Sequence, residues 1–457
     1  MTFSRRTVLL GAAAACSAPS LSIAAPAPQA LRAEPGNVQL VPEGYAKTAI
    51  WGYQGNVPGT EFRVSKGARL TIAFENGLPQ PSTVHWHGIR IDNAMDGVPG
   101  LTQAAVEPGD TFLYDFVLPD AGTYWYHPHN RTWEQLARGL YGTLVVEEPN
   151  APEVDHDLVL LLDDWRLDAD GSIDESFGQM RDWSHGGRIG NWITVNGLAE
   201  LKQSVRLNDR LRLRLINTAN ARIFSLGLDG LTGWVVALDG QPLREPTPAD
   251  RLTLAPAQRA DLLVDVTGSL GDEAMLISYE RDGGYALASF AIGDGPRTSR
   301  SAPAALDPNE LTEPDLQAAR PIEVTMSGGA MGRMASAVYN GKDTPIRDLV
   351  SSGMVWAFNG IAGMPEEPLA RVSRDESLRI KIINDTGWHH AMHLHGHHFR
   401  VLQDDGTLGP WRDTVLINRA QTREIVFAAD NPGKWLFHCH MVEHAASGMM
   451  TWLDVTT

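Results

Sequence analysis

Histidines are the residues of this 457-residue chain whose spacing most clearly allows chemistry. Alternate residues of a β-strand project from the same face, so a His-x-His pair presents two imidazoles side by side. Neutral imidazole binds copper, zinc, iron and nickel. A structural zinc site closes at four ligands, fewer than these pairs supply. The pairs are His85 with His87, His127 with His129, His393 with His395, and His438 with His440.

The last pair encloses a cysteine, Cys439, whose spacing to nearby residues selects among those metals. Two imidazoles, one thiolate and a weak axial thioether are the ligands of a blue-copper electron-transfer site. Because Cys439 is bonded through the backbone to His438 and His440, an electron at its copper would have a short covalent route to any metal that those histidines bind. The other ligands of the Cys439 site would be His390, His444 and Met449.

Three recurring segments indicate which elements position these residues. Residues 68–76, 210–217 and 377–384 alternate apolar and polar side chains and end in Asn, a pattern typical of strands with one face in a core and one in water. A second apolar segment follows each of them downstream. The sequence therefore predicts three copies of a small all-β sandwich, with boundaries near 150 and 310. Residues 296–320 are predicted to link the second and third copies, and residues 132–140 to form a short helix.

The metal-binding residues are unevenly distributed over these copies. The first copy closes on His127-Pro128-His129 and the third on His438-Cys439-His440, whereas the second has an apolar segment at 224–227. The length suits three domains of roughly 150 residues. The formal charge is −17 and no basic run follows Arg6, so nucleic acid is not expected as a partner.

The N-terminus is typical of an export signal. Arg5 and Arg6 precede a short apolar stretch and small residues, as in a twin-arginine signal that we place at residues 1–30. A disordered tail with a chance arginine pair is the alternative. The apolar stretch is too short to span a membrane, so we expect a periplasmic or secreted protein without a membrane span. With Cys16 inside the signal, Cys439 is the only cysteine of the expected mature chain, which favours a metal ligand over a disulfide.

Four motifs together resemble those of the multicopper oxidase family, which includes laccases and bacterial cuprous oxidases. They read H-W-H-G at 85–88, H-P-H at 127–129, H-A-M-H-L-H-G at 390–396 and H-C-H-M-V-E-H-A-A-S-G-M at 438–449. The resemblance implies an all-β chain of three consecutive cupredoxin-like Greek-key β-sandwich domains, at 36–150, 151–310 and 311–457.

The resemblance also implies four copper ions and a ligand for each position. His390, Cys439, His444 and axial Met449 would bind a type 1 copper, and His85 and His393 a type 2 copper. Asp96 matches a carboxylate that the family uses as a proton relay beside the cluster, although a turn residue before Gly97 is the alternative. Ala445 stands where relatives often carry a second carboxylate, and His389, His397 and His398 are interpreted as supporting or surface groups. The type 3 pair would be bound by His87, His127, His129, His395, His438 and His440.

The implied activity couples four one-electron oxidations of a substrate to the reduction of O2 to water. Laccase-like members oxidise phenols and aromatic amines, whereas cuprous oxidases oxidise Cu(I). The cluster of Met326, Met331 and Met334 fits Cu(I), or equally ordinary packing. Thr386 and Ala445 stand where cuprous oxidases would place carboxylates, which favours the laccase-like reading. A non-enzymatic copper-binding envelope protein and a copper nitrite reductase are alternatives of other classes, disfavoured by the complete ligand set. The oligomeric state is not predicted.

Overall fold

The protein is built almost entirely from β-strands, as the sequence predicts. The structure, a computed structural model, describes residues 27–281, 283–295 and 298–457. Residues 1–26 of the predicted export signal, with Arg5, Arg6 and Cys16, lie outside the described residues, and β1 begins within its predicted last residues, at Gln29. The strands form three consecutive two-sheet units, and no sheet in the described ranges crosses position 150 or 310, the two divisions that the sequence predicts.

The first unit places the strands of the first two histidine pairs side by side. Its elements are β1 (Gln29–Val38), β2 (Thr48–Tyr53), β3 (Phe62–Ser65), β4 (Arg69–Asn76), β5 (His85–His87), a 3-10 turn (Asn93–Met95), β6 (Thr111–Val117), β7 (Gly122–His127), α1 (Thr132–Gln135) and β8 (Gly142–Glu147). One sheet has the order β2-β1-β4-β6 and the other β3-β8-β7-β5.

The second unit has larger sheets than the first. Its elements are β9 (His156–Trp165), α2 (Met180–Ser184), β10 (Trp192–Val195), β11 (Leu201–Arg206), β12 (Arg210–Asn217), β13 (Phe224–Asp229), β14 (Leu231–Leu238), β15 (Gln241–Pro248), β16 (Leu252–Leu254), β17 (Arg259–Val266), β18 (Glu273–Glu280) and β19 (Gly283–Gly293). The sheets run β10-β9-β12-β17-β14-β15 and β11-β19-β18-β13-β16.

The third unit carries the remaining histidine pairs and Cys439. Its elements are β20 (Arg320–Gly328), β21 (Ser336–Tyr339), β22 (Lys342–Pro345), α3 (Ile346–Ser351), β23 (Trp356–Phe358), β24 (Ala370–Ser373), β25 (Ser377–Asn384), β26 (His390–Leu394), β27 (Phe399–Leu402), β28 (Leu408–Arg412), β29 (Thr414–Ile417), β30 (Thr422–Ala428), β31 (Gly433–Cys439), α4 (Val442–Ala446) and β32 (Met450–Thr456). The sheets run β23-β20-β25-β30-β27-β28 and β24-β32-β31-β26-β29, with β21 and β22 forming a separate hairpin.

The three predicted repeats are confirmed by the strands β4, β12 and β25, each of which ends in a buried asparagine that serves the same structural purpose. Asn76, Asn217 and Asn384 each donate from Nδ2 to a carbonyl of the following loop and to a carbonyl of a more distant segment, and each accepts, at Oδ1, the backbone N–H two residues on. A buried amide with all its partners fixes the loop that leaves the strand. The terminal Asn of the sequence pattern is therefore a loop anchor.

One expectation about these strands is wrong. The alternation in β12 predicts one face in water, but every residue of β12 is buried, including Arg212 and Arg214. The guanidinium of Arg212 contacts the carboxylates of Glu148 and Asp261. Buried charges are tolerated when they are paired in this way. The polar face of β12 therefore packs against other parts of the protein, and the alternating pattern alone does not separate these two situations.

The predicted helix is shorter than expected, and the predicted linker is held in place by hydrogen bonds. The helix begins at Thr132 as predicted but ends at Gln135, and Gly139, with φ +109°, turns the chain before Leu140. The described part of the linker, 298–320, has no strand until Arg320, yet it is held along its length. Asn309, for example, bonds to the backbone of Ala121 and to Gln241.

No helix within the described ranges has the length and apolar character needed to cross a membrane.

Candidate metal centre

Strand pairing assembles the histidine pairs within each outer unit. In the first unit β5 runs antiparallel to β7 and places His85 opposite His127. In the third unit β26 runs antiparallel to β31 and places His393 opposite His438. Opposite residues of an antiparallel pair lie about 4.5–5.5 Å apart, so each unit presents a group of imidazoles on one sheet face.

The two groups meet where the first and third units pack together. The ring centroids of His85 and His395 are 4.0 Å apart, and those of His87 and His393 are 3.8 Å apart. The Nε2 atoms of His127 and His440 lie 3.3 Å apart. All eight histidines of the pairs are thus brought into one cluster, as the sequence predicts, and seven of them are fully buried, with His129 half-buried.

The hydrogen bonds of these histidines define which nitrogen faces the centre. His438 Nδ1 donates to the Cys439 carbonyl at 2.9 Å and His127 Nδ1 to the Pro128 carbonyl at 3.0 Å. A carbonyl only accepts, so Nδ1 carries the proton and Nε2 carries a lone pair. The Nε2 of His438 nevertheless faces the Nε2 of His395 at 3.1 Å. Two lone pairs at this distance repel each other, and a metal ion bound by both nitrogens would remove that repulsion.

Three further nitrogens support the same conclusion because they have no partner although they are buried. They are His85 Nε2, His393 Nε2 and His87 Nδ1. In each ring the other nitrogen is bound: His85 Nδ1 donates to the Asp96 carbonyl at 2.8 Å and His393 Nδ1 to the Asp413 carbonyl at 2.9 Å. A ring with one nitrogen fixed by a carbonyl and the other free is the usual arrangement of a metal-binding histidine. The donor set therefore fits copper.

A second centre surrounds Cys439. Its Sγ lies 3.6 Å from His390 Nδ1 and 3.7 Å from His444 Nδ1, and the two Nδ1 atoms are 3.1 Å apart. Met449 is fully buried in the same core, and its carbonyl accepts the backbone N–H of Cys439 at 3.1 Å. The three predicted nitrogen and sulfur ligands of the blue-copper site are thus within reach of one ion, and Met449 lies beside them.

The distal nitrogens of this second centre are also bound. The Thr386 hydroxyl donates its proton to Asn384 Oδ1. Its oxygen therefore accepts from His390 Nε2, at 2.8 Å. His444 Nε2 donates at 2.7 Å to the carbonyl of His185, which follows α2 of the second unit. Thr386, which the sequence singled out only as a missing carboxylate, therefore orients a predicted ligand.

Burial keeps these histidines in the neutral form that binds metal. Burial lowers the pKa of His444 to about 4 and that of His390 well below its usual value, in the second case with help from the neighbouring His444. Burial also raises the pKa of the Cys439 thiol to about 12. A thiolate at neutral pH therefore needs a cation beside it. The same lowering of pKa by burial applies to His87, His127, His129, His393, His395, His438 and His440.

Asp96 lies at the histidine cluster. Its carboxylate is 3.0 Å from His395 Nδ1 and 3.2 Å from His85 Nδ1, and it is almost fully buried. The alternative role also fits its position, since Asp96 ends the 3-10 turn and Gly97 follows with φ +83°. A Cβ at Gly97 would collide with the Val84 carbonyl, so the turn presses Asp96 against β5. The turn is thus what holds the carboxylate at the cluster.

Asp413 is a site residue that the sequence analysis missed. Its Oδ1 accepts from His87 Nε2 at 3.3 Å and its carbonyl accepts from His393 Nδ1. Burial by itself would raise its pKa, but the guanidinium of Arg259 and His87 hold the pKa well below its usual value. The segment around Asp413 contains no histidine pair or repeat, so no local pattern marks it.

Glu443 was also missed, and it lies on the short α4 helix directly before His444. One carboxylate oxygen accepts from Asn220 at 2.7 Å and the other has no partner. Burial raises the pKa of Glu443 to about 7. The carboxyl therefore lies beside the second centre at the boundary with the second unit.

The extra histidines and methionines take different places. His389 is exposed, whereas His397 and His398 are buried, and His398 Nε2 lies 3.8 Å from Asp413. The predicted methionine cluster is divided: Met326 is in the core of the third unit, Met334 is half-buried, and only Met331 is exposed, at 75%.

A cavity of about 180 Å³ reaches the histidine cluster from outside. His127, His129 and His438 line its inner end, and Arg131 and Trp133 belong to its wall. Its size admits a diatomic molecule or water to the cluster.

A three-unit β fold in which a Cys-His-His centre is bonded to an eight-histidine cluster is the arrangement expected of a copper-binding oxidase. Profiles described as multicopper oxidase match residues 35–151, 156–287 and 333–457. The chain belongs to the multicopper oxidase family, and its units are cupredoxin-like domains. The predicted family and fold class are thereby confirmed.

Relatives of this family resemble the chain over nearly its whole length. Multicopper oxidase MmcO of Mycobacterium tuberculosis is 31% identical over 438 residues, which cover 88% of this chain and 82% of that protein. The crystal structure of Lac15 from a marine microbial metagenome is 42% identical, with a TM-score of 0.77, covering 94% of this chain and all of that one. A multi-copper oxidase from Pseudomonas Thermotolerans is 32% identical, with a TM-score of 0.81, covering 94% and 99%.

Proposed function

We propose that this multicopper oxidase is laccase-like: it takes single electrons from phenols or aromatic amines at a type 1 copper and reduces O2 to water at a three-copper cluster. One observation carries the proposal. Cys439 belongs to the smaller centre, and the residues bonded to it on either side, His438 and His440, both belong to the larger one. A donor centre and an acceptor centre are thus joined by a single tripeptide.

Bound copper would supply one-electron transfer at the Cys439 centre and O2 binding and reduction at the histidine cluster. The protein's part is to hold the two centres at fixed separation. His438 Nδ1 donates to the Cys439 carbonyl, so a hydrogen bond parallels the covalent link between the centres. Burial of the ligands limits the rearrangement of solvent that accompanies electron transfer, because the ligand side chains are shielded from bulk water.

Reduction of O2 to water consumes four protons, and Asp96 is the proposed relay. Its carboxylate touches the rings of His395 and His85, so it lies at the edge of the cluster. A general acid acts within about one hydrogen-bond length of its target, directly or through one water. Glu443 lies on the other side, next to the Cys439 centre, so we assign it no proton-transfer step.

The substrate is proposed from the surroundings of His444. The His444 ring is buried, and its Nε2 donates to the carbonyl of the half-buried His185. A substrate at the surface beside His185 could therefore pass electrons to the Cys439 centre through His444. The ring of His185 packs against that of Trp388, with ring centroids 5.1 Å apart and the ring planes inclined by 54°. Half-exposed aromatic rings favour an aromatic reductant by stacking. Oxidation of Cu(I) is the second candidate, supported by the exposed thioether of Met331.

Export completes the proposal. The twin-arginine pair at the N-terminus suits transport of a folded, copper-loaded protein to the periplasm or exterior. The non-enzymatic copper-binding alternative is less suitable, because both centres have their ligands within reach of an ion.

The test is O2 uptake by the copper-loaded protein with a phenolic dye and, separately, with Cu(I). The proposal predicts uptake with the phenol that exceeds uptake with Cu(I), four equivalents of dye being oxidised per O2. Uptake with Cu(I) alone would replace the laccase-like activity with cuprous oxidase activity. Uptake with neither would leave a copper-binding protein and overturn the proposal.

A further inference from the structure

The second unit reaches the histidine cluster through one arginine, although no histidine of this unit lies in the described cluster. Arg259 begins β17, and its side chain is fully buried. Its Nη1 donates to Asp413 Oδ1 at 2.8 Å and its Nη2 to Asp413 Oδ2 at 2.6 Å. This two-pronged contact uses the planar fork of arginine, which lysine cannot reproduce.

Two neighbours of Arg259 hold the same short segment of the third unit. Gln258 Nε2 donates to the Thr414 carbonyl at 2.9 Å. The Asp239 carboxylate accepts the backbone N–H groups of Asp413 and Thr414, each at 3.4 Å, and also that of Arg259 at 2.9 Å. The second unit therefore binds the backbone of residues 413–414 and the side chain of Asp413.

Asp413, held in this way, orients one histidine ring in each outer unit. Its Oδ1 accepts the Nε2 proton of His87, and its backbone carbonyl accepts the Nδ1 proton of His393. The free nitrogens left in these rings are His87 Nδ1 and His393 Nε2, both unpartnered and buried. One residue thus selects the tautomers of two predicted ligands, in the way that outer partners of metal-binding histidines do.

The glycine after His87 shows how closely the first unit fits this contact. Gly88 has φ +85°, and a Cβ there would collide with the Arg259 guanidinium and the Asp413 carboxylate. The last residue of the H-W-H-G motif is therefore glycine for a reason that involves all three units.

We propose that Arg259 is a positioning residue of the second unit, which orients Asp413 and thereby sets the ligand nitrogen of His393, assigned to the type 2 copper, and that of His87, assigned to the type 3 pair. The inference rests on the proposed copper cluster. It gives the unit without copper ligands a direct part in copper binding, beyond that of a spacer between the outer units.

The test is Arg259→Lys, which keeps the charge and loses the fork. Wild type and variant are compared by copper content, by the type 2 signal in electron paramagnetic resonance and by the blue absorption. We expect the type 2 signal to change its hyperfine splitting or fall at least twofold, reoxidation by O2 to slow at least tenfold, and the blue absorption to stay within a quarter of the wild-type value. A wild-type type 2 signal in the variant would overturn the proposal.

Arg212→Lys is the matched control, because Arg212 is an equally buried arginine of the second unit that pairs with Glu148 and Asp261. Its copper signals should match those of wild type. An equal loss of blue and type 2 signals in both variants would mean general destabilisation and would refute a specific role. If Arg259→Lys fails to fold, Gln258→Ala takes its place; it removes the bond to Thr414 and a local bond that Gln258 Oε1 accepts from the Ala255 N–H. A changed type 2 signal supports the proposal and an unchanged one overturns it. Wild type lacking a type 2 signal would instead contradict the proposed function.

Discussion

The Nε2 atom of His440 lies 3.3 Å from that of His127, across 313 positions of the chain. Each belongs to a histidine pair near the end of its own unit: His127 is the last residue of β7, and His440 directly follows β31. The contact places the third unit's cysteine-containing tripeptide against the first unit's histidines. In the proposed function, this contact links electron uptake and O2 reduction in one buried assembly.

Replacing Cys439 by Ser removes the soft ligand of the smaller centre and should leave the larger one in place. We expect the blue absorption to disappear and O2 uptake with phenols to fall at least 100-fold, because the receiving copper is lost. Absorption spectra, copper analysis and O2 uptake measure these effects. A variant with full oxidase activity would disprove the assignment of Cys439.

Replacing Asp96 by Asn keeps the size of the side chain and removes its ability to give up a proton. Reoxidation by O2 should slow by about tenfold or more, within the range for loss of one general acid. The rate at which phenols bleach the blue absorption without O2 should not change. Stopped-flow spectroscopy separates the two rates.

Asp92→Asn is the control for Asp96, since Asp92 lies on the same turn and caps it by accepting the Ala94 N–H at 3.1 Å. It should behave as wild type in both half-reactions. If Asp96→Asn reoxidises as fast as this control, Asp96 is only a turn residue.

Substitution of Met331 tests which of the two candidate substrates, phenols or Cu(I), the protein oxidises. Its side chain is exposed on the surface near Trp388, so Met331→Leu removes the thioether at little cost to packing. We expect the kcat/KM for phenols and for Cu(I) to stay within twofold of wild type. Met334→Leu, at a half-buried position, serves as the control. A selective loss of Cu(I) oxidation in Met331→Leu would favour the cuprous oxidase.

The copper-free protein should lose stability as the pH falls below about 6.5, the usual pKa of histidine. Burial lowers the pKa of buried histidines such as His127, His438 and His444 in the folded protein, so only the unfolded chain takes up protons on them in that range. Each such histidine lowers the free energy of unfolding by about 1.4 kcal/mol at about pH 5.5. Urea titrations of copper-free protein between about pH 8 and pH 5.5 measure the slope. A stability that is constant or rises toward acid would contradict the buried, neutral cluster.

The sequence predicts most of the fold and of the ligand set because both depend on local spacing. Alternation and the terminal Asn identify β4, β12 and β25, and the i, i+2 spacing identifies the histidine pairs. The contact between Arg259 and Asp413 cannot be predicted in this way. No spacing marks Asp413, the repeat in which Arg259 lies does not indicate its partner, and the two residues meet only through the packing of units.

The same limit explains the remaining differences. The arginines of β12 look like a solvated face because their carboxylate partners, such as Glu148, lie in other segments. The hydrogen bond that orients His444 is accepted by the carbonyl of His185, a residue of the second unit that no motif marks. The three methionines are close in sequence but separate in space, because β20 carries Met326 into the core while Met331 follows the strand's end.

Copper analysis combined with anomalous diffraction at the copper edge tests the account most directly. We predict four ions per chain, one between Cys439, His390 and His444 and three among the paired histidines of the first and third units. Copper at only one of these places, or a cluster that leaves out His438 or His440, would contradict it.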